Sequence, residues 1–462
     1  MREFRIQEIS VIELSTFDTG QLRKLARQIA DSHLEYIAQA SPVSLTNHVG
    51  KPHEFGVALD DAKGKTDEGK CQRLCDPGFW FGRLTQIADK ARESIAVRSL
   101  RLGDPALGLE PYCSDESLSA YINRQAGRSV SSLRCLQREI EKAAHGSYLL
   151  SKALCERAFA AGHLSVLITL GLDGRFHSSS SQYQGFAFDD AHAALHGLYE
   201  PLLDGLSRLA IRGVDFYGAR CIEVHADGCP HWHLVIYLRP DLLPYLIERL
   251  RALHYKQSTG MGEHFDAYSG RIVQVQQPTD LARYSAAVSY IFKNSYAGRA
   301  GDDDQFMAAL RQKVAISIHG KRQYDFIGMS GSRSVIRELR KCQSVGGVAN
   351  ELVLGRDEVK REERQYSAIK SLVDGELDSY RLLKDEAVNC YGETVTKIIG
   401  VCYLGGSPGK EELVVTHCPG VICNDSRVKR CEGDIPVWCP ILARDFNCWP
   451  RAPPDITVIR QL

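Results

Sequence analysis

The sequence predicts an α+β protein whose central sheet is mostly antiparallel and packed with helices. Three patterns predict it: helical periodicity before residue 150, a short apolar run at residues 164–170, and a hairpin signal at residues 216–238. The chain has 462 residues, of which 44% are hydrophobic and 25% charged, and this suits two or three packed domains. The composition excludes a disordered chain, a fibrous chain and a small disulfide-stapled module.

The helix and strand patterns follow one another in a definite order. Apolar residues recur at three- and four-residue steps through Leu22, Leu25 and Ile29, as they do on one face of a helix. The run at residues 164–170 is rich in β-branched residues and ends at Gly171, which predicts a buried strand followed by a turn. The other expected elements are helices at residues 189–209 and 281–294, strands at 216–225 and 231–238, and a basic helix near residue 335.

Three regions are expected along the chain: a mainly helical region at residues 1–150, a β-containing domain at 151–346, and a C-terminal region of unknown role at 347–462. The C-terminal cysteines lack the two-residue spacing of zinc knuckles, so no zinc is expected there. The 15 cysteines of the chain are scattered and no signal peptide is recognisable, which predicts reduced thiols and a cytoplasmic location.

The charge of the chain is balanced. It has 57 basic and 57 acidic residues, so any surface for nucleic acid must be a local patch. No stretch approaches the roughly 18 apolar residues of a membrane helix, so no membrane association is expected. One basic patch lies at residues 319–341, and its candidate phosphate contacts are Lys321, Arg322, Arg337 and Arg340.

The hairpin at residues 216–238 carries a carboxylate and three histidines. Side chains of a strand alternate between its faces, so His231 and His233 share one face, as do Glu223 and His225. A five-residue loop at 226–230 would place His225 opposite His231 and Glu223 opposite His233. Glu223, His231 and His233 are then a ligand set for Mn²⁺ or Mg²⁺. His225 is an additional ligand, a supporting residue beside the ligands, or a side chain that only packs at the turn.

A tyrosine and a lysine lie three residues apart further along the chain. Tyr290 and Lys293 share one face of the expected helix, so the ammonium can lie beside the phenol and favour its deprotonated form. The pair is a candidate nucleophile with an adjacent cation. Tyr284 and Tyr296 are each six residues from Tyr290 and face elsewhere on an ideal helix.

Residues 217–233 resemble the second motif of HUH endonucleases, and most closely that of the phage gene A replication endonuclease family. The shared features are a glutamate at the separation seen between Glu223 and His231, a His-hydrophobic-His triplet, and an Asp-Gly-x-Pro turn between them. Residues 167–177 resemble the first motif, in which Thr169 is on an apolar strand and His177 ends a basic-aromatic-His turn. Gly171 and Asp173 depart from that motif, where the family usually has threonine and proline.

The resemblance runs from about residue 70 to residue 345. Residues 290–294 resemble the tyrosine helix of the family, and residues 326–328 and 337–340 resemble its closing segments. Many gene A proteins have two tyrosines four residues apart on this helix. Here that position is Ala286, so the chain resembles a one-tyrosine version of the enzyme.

The resemblance implies an HUH nuclease fold for residues 151–346 and a rolling-circle replication initiator. An ion held by Glu223, His231 and His233 would polarise a phosphate, and Tyr290 would attack it to give a 5′-phosphotyrosine and a free 3′-hydroxyl, with later rejoining. Thr169 and His177 would contact single-stranded or origin DNA together with the basic patch. Host helicase and DNA polymerase are expected partners, since no phosphate loop of the helicase type is present.

Other functions remain open at this point. An HUH-type transposase or a mobilisation relaxase would use the same chemistry. A non-catalytic protein that binds an origin or promoter would need no metal ligands or tyrosine. A barrel-type metal hydrolase is not favoured, because it expects the His-x-His near the N-terminus and repeated strand-helix units, which the sequence lacks.

Overall fold

A computed structural model describes residues 11–39, 67–100, 102, 110–126, 133–257, 273–293, 303–329, 334, 380–405 and 412–413. Contacts between residues divide the chain into two units. One comprises Met1–Arg92, Gly347–Ala349 and Leu382–Leu462, and the other comprises Glu93–Gly346 and Asn350–Arg381. The division into three regions at residues 150 and 346 stays a prediction.

The described elements are mixed helix and strand, as the sequence predicts. The helices are α1 (Val11–Ser15), α2 (Thr19–Gln39), α3 (Asp67–Leu74), α4 (Pro77–Leu100), α5 (Asp115–Ala126), α6 (Leu133–Ala160), α7 (Phe188–Ser207), α8 (Leu243–Gln257), α9 (Leu281–Tyr284), α10 (Ala286–Phe292) and α11 (Asp303–Ile318). The strands are β1 (Leu164–Leu170), β2 (Phe216–Val224), β3 (Pro230–Leu238), β4 (Val273–Gln276), β5 (Tyr324–Ile327), β6 (Tyr380–Val388), β7 (Thr394–Gly405) and β8 (Glu412–Leu413).

The second unit is built on a five-stranded sheet in the order β4-β1-β3-β2-β5, in which every neighbouring pair is antiparallel. The α+β fold class with a mostly antiparallel sheet is therefore confirmed. One face of the sheet, which includes Ile222, Trp232 and Leu234, packs in a buried core with apolar side chains of α7, α8 and α11. The other face carries Glu223 and His233, and α6 and α10 contact the strands on this side. The candidate site lies on this second face.

The register of the central hairpin differs from the prediction. Glu223 pairs with His231 and Cys221 pairs with His233, so the expected pairs of His225 with His231 and Glu223 with His233 are wrong. The reason is a shorter loop: the backbone N–H of His225 donates to the carbonyl of Cys229 at 2.8 Å, which leaves only residues 226–228 as loop. Gly228 has a φ of 86°, the left-handed conformation that closes such a three-residue turn. The shift is by two residues, so the facing of every side chain is preserved.

The tyrosine segment is two short helices instead of one. The Asp280 side chain accepts from the N–H of Ala282 at 2.9 Å and starts α9. The Ser285 hydroxyl then donates to the carbonyl of Ala282 at 3.0 Å between α9 and α10, a backbone contact of the kind that bends helices. Arg337, Arg340 and Tyr296, and the expected basic helix near residue 335, lie outside the described residues.

The first unit has its own buried core. Leu22, Ile29, Trp80 and Leu84 are among its members, and the indole N–H of Trp80 donates to the carbonyl of Leu74 at 2.6 Å. This agrees with the helical periodicity of the N-terminal sequence. Within the part of the chain that is described, no helix has the length and apolar character needed to cross a membrane.

Candidate active site

Glu223, His231 and His233 converge on one point of the sheet, as the sequence predicts. The Nε2 atoms of the two histidines are 3.1 Å apart, and the Glu223 Oε2 atom is 3.5 Å from His231 Nε2 and 3.4 Å from His233 Nε2. The three side chains are the only group of at least three potential metal ligands in the described ranges, with all donor atoms within 4.8 Å of one another. They come from the two strands β2 and β3, both of which lie inside the sheet.

The triangle formed by Glu223 Oε2, His231 Nε2 and His233 Nε2 fits a divalent cation. Donor atoms that bind one ion at about 2.1 Å are roughly 3.0–3.4 Å apart at octahedral or tetrahedral angles, close to the separations observed. The Oε1 atom of Glu223 and the Nδ1 atom of His231 are buried and form no hydrogen bond with the described residues, so the carboxylate has a further oxygen to offer. Two imidazoles with a carboxylate suit Mn²⁺ and other first-row ions better than Mg²⁺.

Thr169 contacts one of these candidate ligands. Its side-chain oxygen is 3.1 Å from Nδ1 of His233, on the strand β1 that pairs with β3 at this position. An imidazole whose Nδ1 is held by a neighbour presents Nε2 in a fixed orientation. The family resemblance implied a DNA contact for Thr169, and the structure places its side chain against the candidate ligand His233.

The negative charge of Glu223 is stabilised by the two imidazoles and by Lys293. Burial alone would raise the pKa of Glu223, but the two imidazoles and the ammonium of Lys293 outweigh it and hold the pKa well below its usual range. Burial lowers the pKa of His231, which favours the neutral imidazole that binds metals. Glu223 is therefore ionised, and His231 has its lone pair available, at neutral pH.

Tyr290 and Lys293 lie at the edge of this triangle. The Tyr290 ring meets the His233 ring edge to face with centroids 5.0 Å apart, and 40% of the residue is exposed. The Lys293 Nζ atom lies 3.9 Å from the centre of the Tyr290 ring and 3.4 Å from Glu223 Oε2. Burial acts to lower the pKa of Lys293, but the Glu223 carboxylate and Tyr290 outweigh it and raise that pKa. The candidate nucleophile, its cation and the candidate ligands are thus brought together.

Tyr284 is placed differently. It is fully buried, and its hydroxyl donates to the carbonyl of His163 at 2.9 Å. Burial raises the pKa of its phenol well above the usual value. Tyr284 is therefore part of the packing of the domain.

A second group of polar residues lies at the turn of the hairpin. The Asp227 carboxylate is buried and accepts from His177 Nδ1 at 3.0 Å, from the Ser179 hydroxyl at 2.8 Å and from the Cys229 N–H at 3.1 Å. Burial would raise the pKa of Asp227, yet His177 and these donors lower it to about 2. The hydrogen bond to Asp227 raises the pKa of His177.

His225 connects the two groups. Its ring lies 4.1 Å from the ring of His231 and 5.0 Å from that of His177, measured between centroids. The sequence pattern indicates His177 and His225 as candidate site residues but no partner for Asp227. The hydrogen bond of Asp227 within its turn could have been predicted, because an aspartate followed by glycine in a hairpin turn commonly accepts from a backbone N–H of its own loop. Its link to His177, fifty positions earlier, depends on the sheet.

Two residues of the basic patch, Lys321 and Arg322, lie among the described residues. Lys321 Nζ is 3.5 Å from Asp189 Oδ1 at the start of α7, on the opposite face of the sheet from Glu223. Arg322 is exposed. Neither residue is brought to the candidate ligands.

The family of the chain follows from comparison with known proteins. A family model described as bacteriophage replication gene A protein (GPA) matches residues 3–297. The chain belongs to this family. The matched range contains the candidate ligands, Tyr290 and Lys293, and it ends before Lys321 and Arg322.

Three relatives have replication names. The chain is 26% identical over 307 residues to the replication gene A protein of Escherichia phage 186, which covers 58% of this chain and 42% of that protein. It is 27% identical over 368 residues to the replication protein of Haemophilus phage HP1 (strain HP1c1), covering 71% and 46%. It is 23% identical over 199 residues to the probable replication protein P12 of Pseudoalteromonas phage PM2, covering 41% and 30%. The chain thus spans less than half the length of these relatives. No solved structure matches it.

Proposed function

We propose that the protein initiates phage DNA replication by nicking one DNA strand with a tyrosine nucleophile. The observation that carries this proposal is the convergence of Glu223, His231 and His233 with the exposed Tyr290 and the ammonium of Lys293. Family membership and the replication names of the relatives support it. The site belongs to the part of the chain that the family model covers.

The two histidines and Glu223 would hold Mn²⁺ or Mg²⁺, and Thr169 would keep His233 in its binding orientation. The bound cation supplies a Lewis acid that offsets charge developing on a phosphate oxygen. Glu223 is ionised without it, because the imidazoles and Lys293 stabilise the carboxylate. The carboxylate therefore needs no change of protonation to accept a cation.

Tyr290 would be the nucleophile. Its exposure leaves the phenol accessible to a DNA strand, and the Lys293 ammonium beside it stabilises negative charge on the ring and oxygen. Attack on phosphorus forms a bond from the Tyr290 oxygen to the 5′-phosphate and releases a 3′-hydroxyl. Host DNA polymerase would extend this end, a host helicase would separate the strands, and the reverse reaction would rejoin them.

The test uses labelled single-stranded oligonucleotides tiled across the genomic region that encodes the chain. The full chain is incubated with each oligonucleotide and Mn²⁺, Mg²⁺ or a chelator, and denaturing gels detect covalent adducts. We expect a metal-dependent adduct with one sequence that is absent in Tyr290→Phe and present in Tyr284→Phe. Sequence-specific binding without cleavage under any condition would favour the non-catalytic origin-binding function instead. The gene A family favours replication over transposition or mobilisation, which share the chemistry.

A further inference from the structure

Lys293 shares its carboxylate partner with the candidate metal ligands. The Lys293 Nζ atom lies 3.4 Å from Glu223 Oε2. The same oxygen lies 3.5 Å from His231 Nε2 and 3.4 Å from His233 Nε2, so it is also the third corner of the ligand triangle. An ammonium and a divalent cation would therefore bind one and the same oxygen atom.

These two positive charges would lie close together. An ion bound about 2.1 Å from Glu223 Oε2 would be at most roughly 5.5 Å from Lys293 Nζ, because the ammonium is 3.4 Å from that oxygen. Like charges about 4–6 Å apart destabilise each other, and the effect is larger when one of them is divalent. Only 7% of the Glu223 side chain is exposed, so solvent screens these charges less than at an open surface. Binding of the ion therefore opposes the contact between Lys293 and Glu223.

Lys293 has a second partner that the ion does not share. Its Nζ atom lies 3.9 Å from the centre of the Tyr290 ring, and the face of a tyrosine ring attracts an ammonium. The side chain of Lys293 is 42% exposed, and the residue directly follows the last residue of α10. The ammonium can thus leave the carboxylate and keep its contact with Tyr290 without any movement of the sheet.

We propose that Lys293 competes with the divalent cation for Glu223, and that its ammonium passes from Glu223 to Tyr290 when the ligand triangle is filled. The exchange rests on the proposed nicking function, which supplies the cation and gives Tyr290 its role. No covalent bond changes in this step. One ion pair is broken, and the ammonium is left with Tyr290 as its partner.

The exchange would couple the nucleophile to the cation. While Lys293 is paired with Glu223, its charge is divided between the carboxylate and the tyrosine. Once the ammonium is released, its charge is available to the Tyr290 oxygen as negative charge develops there. Tyr290 is then best prepared for attack when a phosphate at the triangle is also polarised, and less prepared in a chain without the ion.

The metal affinity of the DNA-free chain tests the competition. Isothermal titration calorimetry with Mn²⁺ compares the full wild-type chain with Lys293→Met, which keeps a long side chain but removes the charge. We expect Lys293→Met to bind Mn²⁺ roughly 3- to 10-fold more tightly, because the ion no longer competes with an ammonium. Lys293→Arg keeps the charge and the contact with the ring, and should bind within about 2-fold of wild type. The matched control is Lys321→Met, which removes a lysine that pairs with Asp189, and it should leave the affinity unchanged.

A double-mutant cycle tests the transfer to Tyr290. Tyr290→Leu removes the ring that receives the ammonium, together with the contact of that ring with His233. We expect this change to weaken Mn²⁺ binding in the wild-type background and to weaken it less in the Lys293→Met background, because only the former has an ammonium to accommodate. Equal effects in the two backgrounds would show that the ammonium does not pass to Tyr290.

An affinity of Lys293→Met equal to or below that of wild type would overturn the competition, and so would a lack of Mn²⁺ binding by both chains. The expected result is tighter binding, which misfolding of the variant would not produce. Because the affinity is measured without DNA, the competition and the nicking function can fail separately. A wild-type chain that binds Mn²⁺ but forms no adduct with any oligonucleotide would contradict nicking and leave the competition standing.

Discussion

His231 and His233 turn their Nε2 atoms toward each other at a separation of 3.1 Å, although they are two residues apart on one strand. If both rings are neutral and carry their protons on Nδ1, the lone pairs of the two Nε2 atoms face each other, which is unfavourable. If one Nε2 atom carries a proton, it donates to the other. A shared cation satisfies both nitrogens and the nearby Glu223 carboxylate at once.

Replacing a candidate ligand should strongly weaken cation binding. For Glu223→Gln we expect at least about 100-fold weaker Mn²⁺ binding, because loss of a direct ligand exceeds the 10–100-fold cost of losing a supporting residue. Isothermal titration calorimetry of the DNA-free chain measures it. Glu200→Gln is the control, since the Glu200 side chain is half-exposed on α7. Equal affinities of Glu223→Gln and wild type would show that the triangle does not bind the ion.

Thr169 should tune the same affinity through His233. Thr169→Val keeps the shape of the side chain but removes the hydroxyl that lies 3.1 Å from Nδ1. We expect Mn²⁺ affinity to fall by roughly 10- to 100-fold. Thr169→Ser retains the hydroxyl and should bind nearly as wild type. If Val and Ser variants bind equally well, the contact does not orient the ligand.

Substitution of Tyr290 should affect the reaction, whereas substitution of Tyr284 should affect the stability of the fold. Tyr290→Phe should lose the covalent adduct and keep its unfolding free energy, because the residue is 40% exposed. Tyr284→Phe should keep the adduct but lose roughly 1–3 kcal/mol of stability, since the buried hydrogen bond to His163 is removed. Denaturing gels and urea unfolding distinguish the two. The reverse pattern would mean that Tyr284 is the nucleophile.

The pair of His177 and Asp227 should stabilise the folded state over a limited range of pH. Asp227 has a pKa lowered to about 2, so its contribution is present above its ordinary value of 3.8 and is lost as pH falls toward 2. His177 has a raised pKa, so its contribution is complete below its ordinary value of 6.5 and is lost as pH rises through the folded value. The difference in unfolding free energy between wild type and Asp227→Asn should peak near pH 5, at roughly 1–3 kcal/mol. Urea unfolding from pH 3 to 9 measures it, and a flat difference would contradict the ion pair.

Close packing of β2 against β3 gives a further prediction. A Cβ atom at Gly218 would lie 1.9 Å from the carbonyl oxygen of Val235, so Gly218→Ala forces the two central strands apart. We expect a loss of at least about 2 kcal/mol in unfolding free energy together with weaker Mn²⁺ binding. Gly197→Ala on α7 is the control, because nothing lies within 4 Å of its added Cβ. It should be neutral or stabilise by about 0.5–1 kcal/mol.

At this site the sequence predicts which face of the sheet each side chain lies on, but not the register in which β2 pairs with β3. Alternation along a strand places Glu223, His231 and His233 on one face whatever the register. The pairing depends instead on loop length, which the hydrogen bond from His225 to Cys229 and the conformation of Gly228 decide. Helical periodicity likewise predicts that Tyr290 and Lys293 share one face of a helix, but not that the helix is interrupted at Ser285. The contacts of Thr169 with His233 and of His177 with Asp227 join distant parts of the chain, so no local pattern contains them.

The candidate ligands are on interior strands of the sheet, whereas Tyr290 is on the seven-residue helix α10. Amide hydrogens of β2 and β3 should therefore exchange only through global unfolding. The helix α10 buries Ala287, Val288, Ile291 and Phe292, and Tyr290 is its exposed large side chain. A DNA strand joined to Tyr290 would thus be attached outside the buried interior, and its release would require no movement of β2 or β3.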